Sequence, residues 1–214
     1  MKLLIVSATE METDLFRKYL QDNQTNNFID LLVTGVGPIA TAYAVTAALQ
    51  QDKYDLVLQA GVGGSFDADM PLGEVVFITT ERYGDLGAED HDNYIDIFDM
   101  GLMEADTHPH TGSQLVNPIH PMHDTIKLRK VSGLSVSQVS GNERSIAHRR
   151  NRYNCAVESM EGAAFHYVCL QEEVVFAQVR AISNYVIPRD RSQWKMKEAV
   201  INLNNWLIEF VSSL

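Results

Sequence analysis

The chain has 214 residues, 45% of them hydrophobic and 21% charged, the make-up of a globular protein that buries a core without disulfide or metal staples. With 17 Lys and Arg against 28 Asp and Glu its net charge is -11, which repels phosphate polyanions and argues against nucleic acid or an anionic membrane as partner. No apolar stretch reaches the ~20 residues of a membrane span. Cys155 and Cys169 lie in apolar segments without CxxC spacing, so both are expected to be buried thiols, and the chain a single unprocessed cytosolic domain over residues 1–214.

Residues 2–8 form a continuous β-prone run, expected as a strand buried on both faces. Met11, Leu15, Phe16 and Leu20 then recur near helical spacing over residues 10–20, with Thr9 as N-cap. A strand over residues 28–33 breaks at Gly35-Val36-Gly37-Pro38 and an Ala-rich helix follows over 39–50. Residues 55–60 predict a buried strand ending in a second glycine turn, Gly61-Val62-Gly63-Gly64, and residues 74–80 a further strand. Periodicity lapses over 83–121, a loop length that in compact domains usually carries function or a contact. Strand character returns over 130–139, followed by a short basic helix (143–152), a short strand (155–157), a buried helix (160–170) and a long apolar strand (174–183). Val200, Leu203, Leu207, Phe210 and Val211 form the stripe of a closing amphipathic helix. The alternation predicts an α/β domain with helices on both faces of a sheet.

Neither glycine turn completes GxGxxG after the first strand, so no nicotinamide cofactor is indicated, and none of another kind is expected. Glu10 and Glu12 flank the turn after that strand, where a carboxylate projects into the crevice at the carboxyl edge of the sheet or, more blandly, favours a helix dipole. Glu158 and Glu161 sit at the end of a strand and the start of an apolar helix, where acids are costly unless they bind something or cap the helix. A carboxylate there can accept two hydrogen bonds from vicinal hydroxyls, with Met160 packed on the sugar face. Arg180 closes a strand of Val, Phe and Ala and requires a buried anion, for which Glu12 or Glu161 would serve. His108, His110, His120 and His123 raise the question of zinc. Interleaved prolines and the lack of HExxH or a Cys pair leave that signal weak, and no metal is expected.

Together these segments resemble the nucleoside phosphorylase and nucleosidase superfamily, in particular the methylthioadenosine/adenosylhomocysteine nucleosidases. Ser7-Ala8-Thr9-Glu10-Met11-Glu12 matches the segment holding their water-activating carboxylate, which puts Glu12 in that role. Thr34-Gly35-Val36-Gly37 and Ala60-Gly61-Val62-Gly63-Gly64 match the two glycine turns lining the site, hence Val36, Val62 and Gly63 as lining residues. Ser159-Met160-Glu161 matches the ribose-binding pair, and Arg180-Ala181-Ile182-Ser183-Asn184 the segment whose last residue meets the purine. Those nucleosidases have aspartate at the position of Asn184. Adenine offers an amino donor and the N7 acceptor, which suit a carboxyl group, whereas hypoxanthine offers two acceptors, O6 and N7, which suit a neutral amide NH2. Asn184 therefore favours a 6-oxopurine, and it stabilises charge on the base by hydrogen bonding instead of acting as a true acid.

Glu81-Arg82-Tyr83-Gly84-Asp85-Leu86-Gly87-Ala88-Glu89-Asp90, Leu115-Val116-Asn117-Pro118, Glu158 to Phe165 and Ser183 to Arg191 resemble more narrowly the futalosine hydrolases. The resemblance implies a three-layer α/β/α sandwich around a mixed, barrel-like sheet and a homodimer or higher homo-oligomer. It also implies hydrolytic removal of hypoxanthine from futalosine on the alternative route to menaquinone, with a small purine nucleoside and water as the reacting partners. Glu12 would be the general base, Arg180 would help position that carboxylate, Glu161 and Met160 would hold the ribose, and Ser183 would support Asn184. The segment from Ser140 to Arg144, including Gly141, would border the base. The implied substrate also carries a benzoate, so a cation is expected at the far end of the pocket, with His91, Arg189 and Arg191 as candidates. The competing readings are an adenine-releasing nucleosidase acting on aminodeoxyfutalosine or methylthioadenosine, a phosphorylase, and a non-catalytic nucleoside sensor. A phosphorylase needs an arginine cage where Glu12 puts a carboxylate, and a sensor has no use for a general base.

Overall fold

The computed structural model describes residues 1–91 and 93–214. The opening run forms β1 (Lys2–Ser7), followed by α1 (Glu10–Asp22), β2 (Phe28–Val33), α2 (Pro38–Gln51), β3 (Leu56–Ser65) and β4 (Val75–Tyr83). A hairpin of β5 (Gly87–Asp90) and β6 (Asn93–Asp96) and the two-residue β7 (Leu115–Val116) precede β8 (Arg129–Ser135). The chain continues through α3 (Glu143–Tyr153), β9 (Val157–Ser159), α4 (Gly162–Gln171), β10 (Phe176–Tyr185) and α5 (Met196–Ser213).

β1 alternates its side chains between two faces, as a strand must. Leu3 and Ile5 join Phe16 of α1 and Leu203, Leu207 and Phe210 of α5, while Leu4 and Val6 join Val45 and Leu49 of α2 and Phe165 and Val168 of α4. Helices thus cover both faces of one mixed sheet, the three-layer arrangement that the resemblance implies. In that sheet β10 pairs in parallel with β3 and antiparallel with β4, and β4, β8, β9 and β3 follow in turn. The pairing of β10 with β3 closes a five-stranded ring, with β1 and β2 extending it as a wing.

Several boundaries differ from the sequence reading. Gly61-Val62-Gly63-Gly64 is no turn: it continues β3 in register with β10. The glycines are there because side chains crowd the strand, and a Cβ at Gly61 would collide with Arg180 Nη1 and stand 2.9 Å from Glu12 Oε1. The stretch 83–121 is not wholly irregular, since it holds the β5–β6 hairpin and β7. The short strand near residue 157 lies two residues later than expected, and α4 starts at Gly162, which leaves Met160 and Glu161 in the approach to the helix. Both cysteines are buried, and desolvation pushes the Cys155 thiol up to about 12. Among the described residues no helix is long and apolar enough to cross a membrane.

Candidate active site

Glu12 lies one turn into α1, buried, where the chain leaves β1. Its carboxylate turns back onto the helix entrance: Oε2 accepts from the Thr9 backbone N–H at 2.9 Å and the Thr9 hydroxyl at 3.0 Å, and Oε1 accepts from Val62 N–H at 3.1 Å. A carboxylate has about four acceptor positions, so three donors fix its orientation and leave room for a further hydrogen on the Oε1 side, toward Gly61. Glu10, by contrast, is exposed.

Glu161 occupies the N-cap position of α4, yet its side chain caps nothing there. Its Oε1 accepts from Gly37 N–H at 3.1 Å, and its Oε2 lies 3.4 Å from Arg180 Nη1. Gly37 reaches that point from a turn in which Gly35 and Gly37 have φ of +88° and +93°, a region open chiefly to glycine. Arg180 also donates through Nη2 to Gln59 Oε1 at 3.0 Å and through Nη1 to Val62 O at 3.4 Å, while its Nε has no hydrogen-bond partner among the described residues. The buried anion that Arg180 requires is therefore Glu161; the expectation that Arg180 positions the Glu12 carboxylate gives way to Thr9 and Val62, whose N–H and O–H groups do so. Gln59, a lone polar residue in the apolar run of β3, is a site neighbour that the sequence reading passed over, although its isolation among Leu and Val was the available signal.

At the end of β10 the Ser183 hydroxyl lies 2.8 Å from Asn184 Oδ1 and 3.2 Å from Gly63 O, and Asn184 Nδ2 donates to Tyr185 O at 3.0 Å. With the hydroxyl donating to Oδ1, the second Nδ2 hydrogen is left to point outward. A Cβ at Gly64 would come 3.1 Å from Asn184 Nδ2, so β3 leaves space for that amide. Residues from β1–α1, β3, the α2 entrance, the α4 entrance and β10 thus meet at one end of the ring.

The remaining candidates lie around this group. Met160, half-buried, lines a cavity of about 180 Å³ with Pro38, Tyr83, Leu86, Ser135, Val136 and Ala163. Val36 is 58% exposed at the rim. Gly141 accepts from Arg189 N–H at 3.1 Å, whereas Arg144, on the first turn of α3, lines a neighbouring polar crevice with Asp85, Asn142 and His148. Glu158 is not free to bind sugar. Its carboxylate takes the Ser140 N–H and hydroxyl and the Arg149 guanidinium, a cluster that anchors the segment after β8. Of the loop histidines, His110 bonds Thr107 O and His123 bonds Phe176 O. Among the described residues no three His, Cys, Asp or Glu side chains converge as metal ligands.

A sequence profile of the phosphorylase superfamily matches residues 16–212. The chain belongs to the phosphorylase superfamily. Within it, the chain is 31% identical to the futalosine hydrolase of Streptomyces coelicolor, over 96% of this chain and 93% of that one. It is 26% identical to the 5'-methylthioadenosine/S-adenosylhomocysteine nucleosidase of Haemophilus ducreyi, over 86% and 85%. The futalosine hydrolase of Helicobacter pylori superposes with a TM-score of 0.82 at 15% identity, covering 100% of this chain and 98% of that one. That superposition bears out the three-layer fold with its barrel-like sheet for this superfamily member.

Proposed function

We propose that the chain is a purine nucleosidase that hydrolyses futalosine to hypoxanthine and dehypoxanthine futalosine, as a soluble cytoplasmic enzyme of menaquinone biosynthesis. The reaction proceeds through an oxocarbenium-like transition state, as in glycoside hydrolysis. The C1′–N9 bond breaks with its electron pair passing to the purine, the oxygen of a water bonds to C1′, and Glu12 takes the proton that water gives up. Glu161, held by Gly37 and Arg180, accepts from the ribose hydroxyls, and Met160 packs on the sugar. Asn184 offers Nδ2–H to the acceptors N7 and O6, stabilising charge on the departing base, which then takes a proton from solvent.

The observation that carries the choice of base is the Ser183–Asn184 hydrogen bond of 2.8 Å. It holds Oδ1 inward, so no amide oxygen is left to accept from the amino group of adenine, and the one remaining Nδ2 hydrogen is shared between the acceptors N7 and O6 of hypoxanthine. The far end of the substrate is anionic, and Arg189 and Arg191 lie 5.1 Å and 5.7 Å from the centroid of the Trp194 ring. The loop bearing them is tied to Gly141 and, through Lys195 N–H, to Ser183 O at 2.8 Å. His91 is less suited, since its Nε2 already lies 3.9 Å from Asp90. The same reading includes a homo-oligomer: Val36, Ile39 and Tyr43, at 58%, 85% and 78% exposure, put apolar surface beside the site, and covering it with a second copy removes that surface from water.

The test is release of free base from futalosine, aminodeoxyfutalosine, methylthioadenosine and inosine, with and without phosphate. Hypoxanthine from futalosine alone, independent of phosphate, is the expected result. Adenine release would overturn the reading of Asn184, phosphate dependence would make the enzyme a phosphorylase, and no release at all would favour a nucleoside sensor.

A further inference from the structure

We infer that Glu81, which takes no part in the chemistry at Glu12, is a positioning residue for the ribose-binding pair: through Ser135 it caps the start of α4 and sets where Met160 and Glu161 lie. The inference rests on the role proposed above for that pair. The first N–H groups of a helix have no intrahelical partner and need an outside acceptor. Glu161, the residue placed to supply one, has its carboxylate committed to Gly37 and Arg180. The acceptors come from elsewhere. Gly162 N–H reaches Ser159 Oγ at 3.4 Å, and Ala163 N–H reaches Ser135 Oγ at 2.6 Å. Ser135 in turn donates to Glu81 Oε2 at 3.0 Å.

Glu81 is 1% exposed, and its other oxygen accepts from Gln178 Nε2 at 2.9 Å. Gln178 stands two residues before Arg180 on β10, on the same face of the strand. The Glu81 carboxyl therefore links both supports of Glu161: the helix entrance through Ser135 and the strand of Arg180 through Gln178. It is also wedged in place, for a Cβ on either Gly133 or Gly162 would run into it.

Burial pushes the Glu81 carboxyl up to about 7, the Gln178 and Ser135 hydrogen bonds and the Arg180 charge acting against that rise and the Glu161 charge adding to it. Tyr83 on β4 and Cys155 before β9 also sense its charge, and His166 on α4 neighbours Gln178. Loss of the proton places a negative charge that attracts Arg180 and repels Glu161, which loosens the pair holding the ribose seat. Sugar binding weakens while the step at C1′ does not.

The experiment compares the wild type with Glu81→Gln, Glu81→Ala and Ser135→Ala. KM and kcat are measured from about pH 6 to about pH 9 on the nucleoside that the wild type cleaves, and amide hydrogen exchange is followed in the peptides covering residues 157–167 and in α5. The wild-type KM is expected to rise several-fold above about pH 7 with kcat steady, and the Glu81→Gln KM to stay flat. Glu81→Ala and Ser135→Ala are expected to raise KM by about tenfold at every pH and to speed exchange at the start of α4 with α5 unchanged. An alkaline KM rise that persists in Glu81→Gln overturns the inference, as does unaltered exchange in Glu81→Ala. Should that variant not fold, Ser135→Ala gives the same reading. A wild type that cleaves none of the nucleosides removes the proposed function alone, because the exchange comparison needs no substrate.

Discussion

The Arg180 guanidinium stands 3.4 Å from the Glu161 carboxylate, with side-chain exposures of 2% and 7%. A charge pair so far from solvent is weak evidence for stability, because desolvation offsets much of the attraction. Its worth lies in geometry: the guanidinium fixes one oxygen of Glu161 while Gly37 N–H fixes the other.

Removing one partner leaves the other as an uncompensated buried charge. Arg180→Met is expected to lose about 3–5 kcal/mol of unfolding free energy, read from denaturant midpoints, and to raise KM. In Arg180→Met combined with Glu161→Gln the loss should be smaller than in Arg180→Met alone. Strictly additive losses would mean that the two side chains do not interact.

Glu12→Gln keeps the size of the side chain but turns an NH2 toward either Val62 N–H or the two Thr9 donors. Turnover is expected to fall by about 10²–10⁴, with hypoxanthine binding, measured by calorimetry, within a few-fold of wild type. Turnover close to wild type would remove Glu12 from the mechanism.

Asn184→Asp replaces the outward N–H by an acceptor, keeps the oxygen that takes the Ser183 hydroxyl and gives up the donor to Tyr185 O. Competition between futalosine and aminodeoxyfutalosine should then shift in kcat/KM toward the adenine-bearing substrate by about tenfold or more, the equivalent of one hydrogen bond. An unchanged ratio would show that the base is read elsewhere.

Stability against pH has opposing contributions. Burial holds the His166 ring down to about 3, from an ordinary value of 6.5, so between those values the unfolded chain binds the proton and stability falls as pH drops. Glu81, raised from 4.5 to about 7, binds its proton in the folded state. Its contribution is complete below 4.5 and is lost as pH rises through 7. Glu81→Gln removes that opposing slope, so its melting temperature should fall more steeply than that of the wild type as pH is lowered from 6.5 toward 4.5. Parallel curves would show Glu81 ionised in the folded state.

The continuous apolar runs of β1, β3 and β10 and the stripe on α5 were legible because burial on one or both faces writes itself into residue type. Glu161 and Arg180 stood out as charged residues at a strand end or in apolar surroundings, the choice of Glu12 over Glu10 and the role of Asn184 came with the family resemblance, and the four do gather at one end of the sheet. What periodicity alone does not convey is which carboxylate Arg180 meets, since both carboxylates lie far from it in sequence and the choice depends on how β3 and β10 align. Gly61 to Gly64 read as a turn because glycine is the usual residue there. Only the side chains crossing above it explain why glycine occupies a strand. For Glu158 the sequence left binding and capping both open, because its partner Arg149 lies in a separate basic helix, α3.

Because β10 is hydrogen-bonded to β3 along its length and to β4 over Gln178–Ala181, the part of the strand that carries Arg180 has no free edge to peel away. Splaying the ring means breaking two ladders together. Traffic of substrate and product is therefore a matter for the connecting segments around the ring's end, among them the Gly35–Gly37 turn and the Arg189 loop. Changes in the Arg189 loop would retime entry and exit, whereas changes in the Gly35–Gly37 turn would also release the oxygen of Glu161 that Gly37 N–H holds.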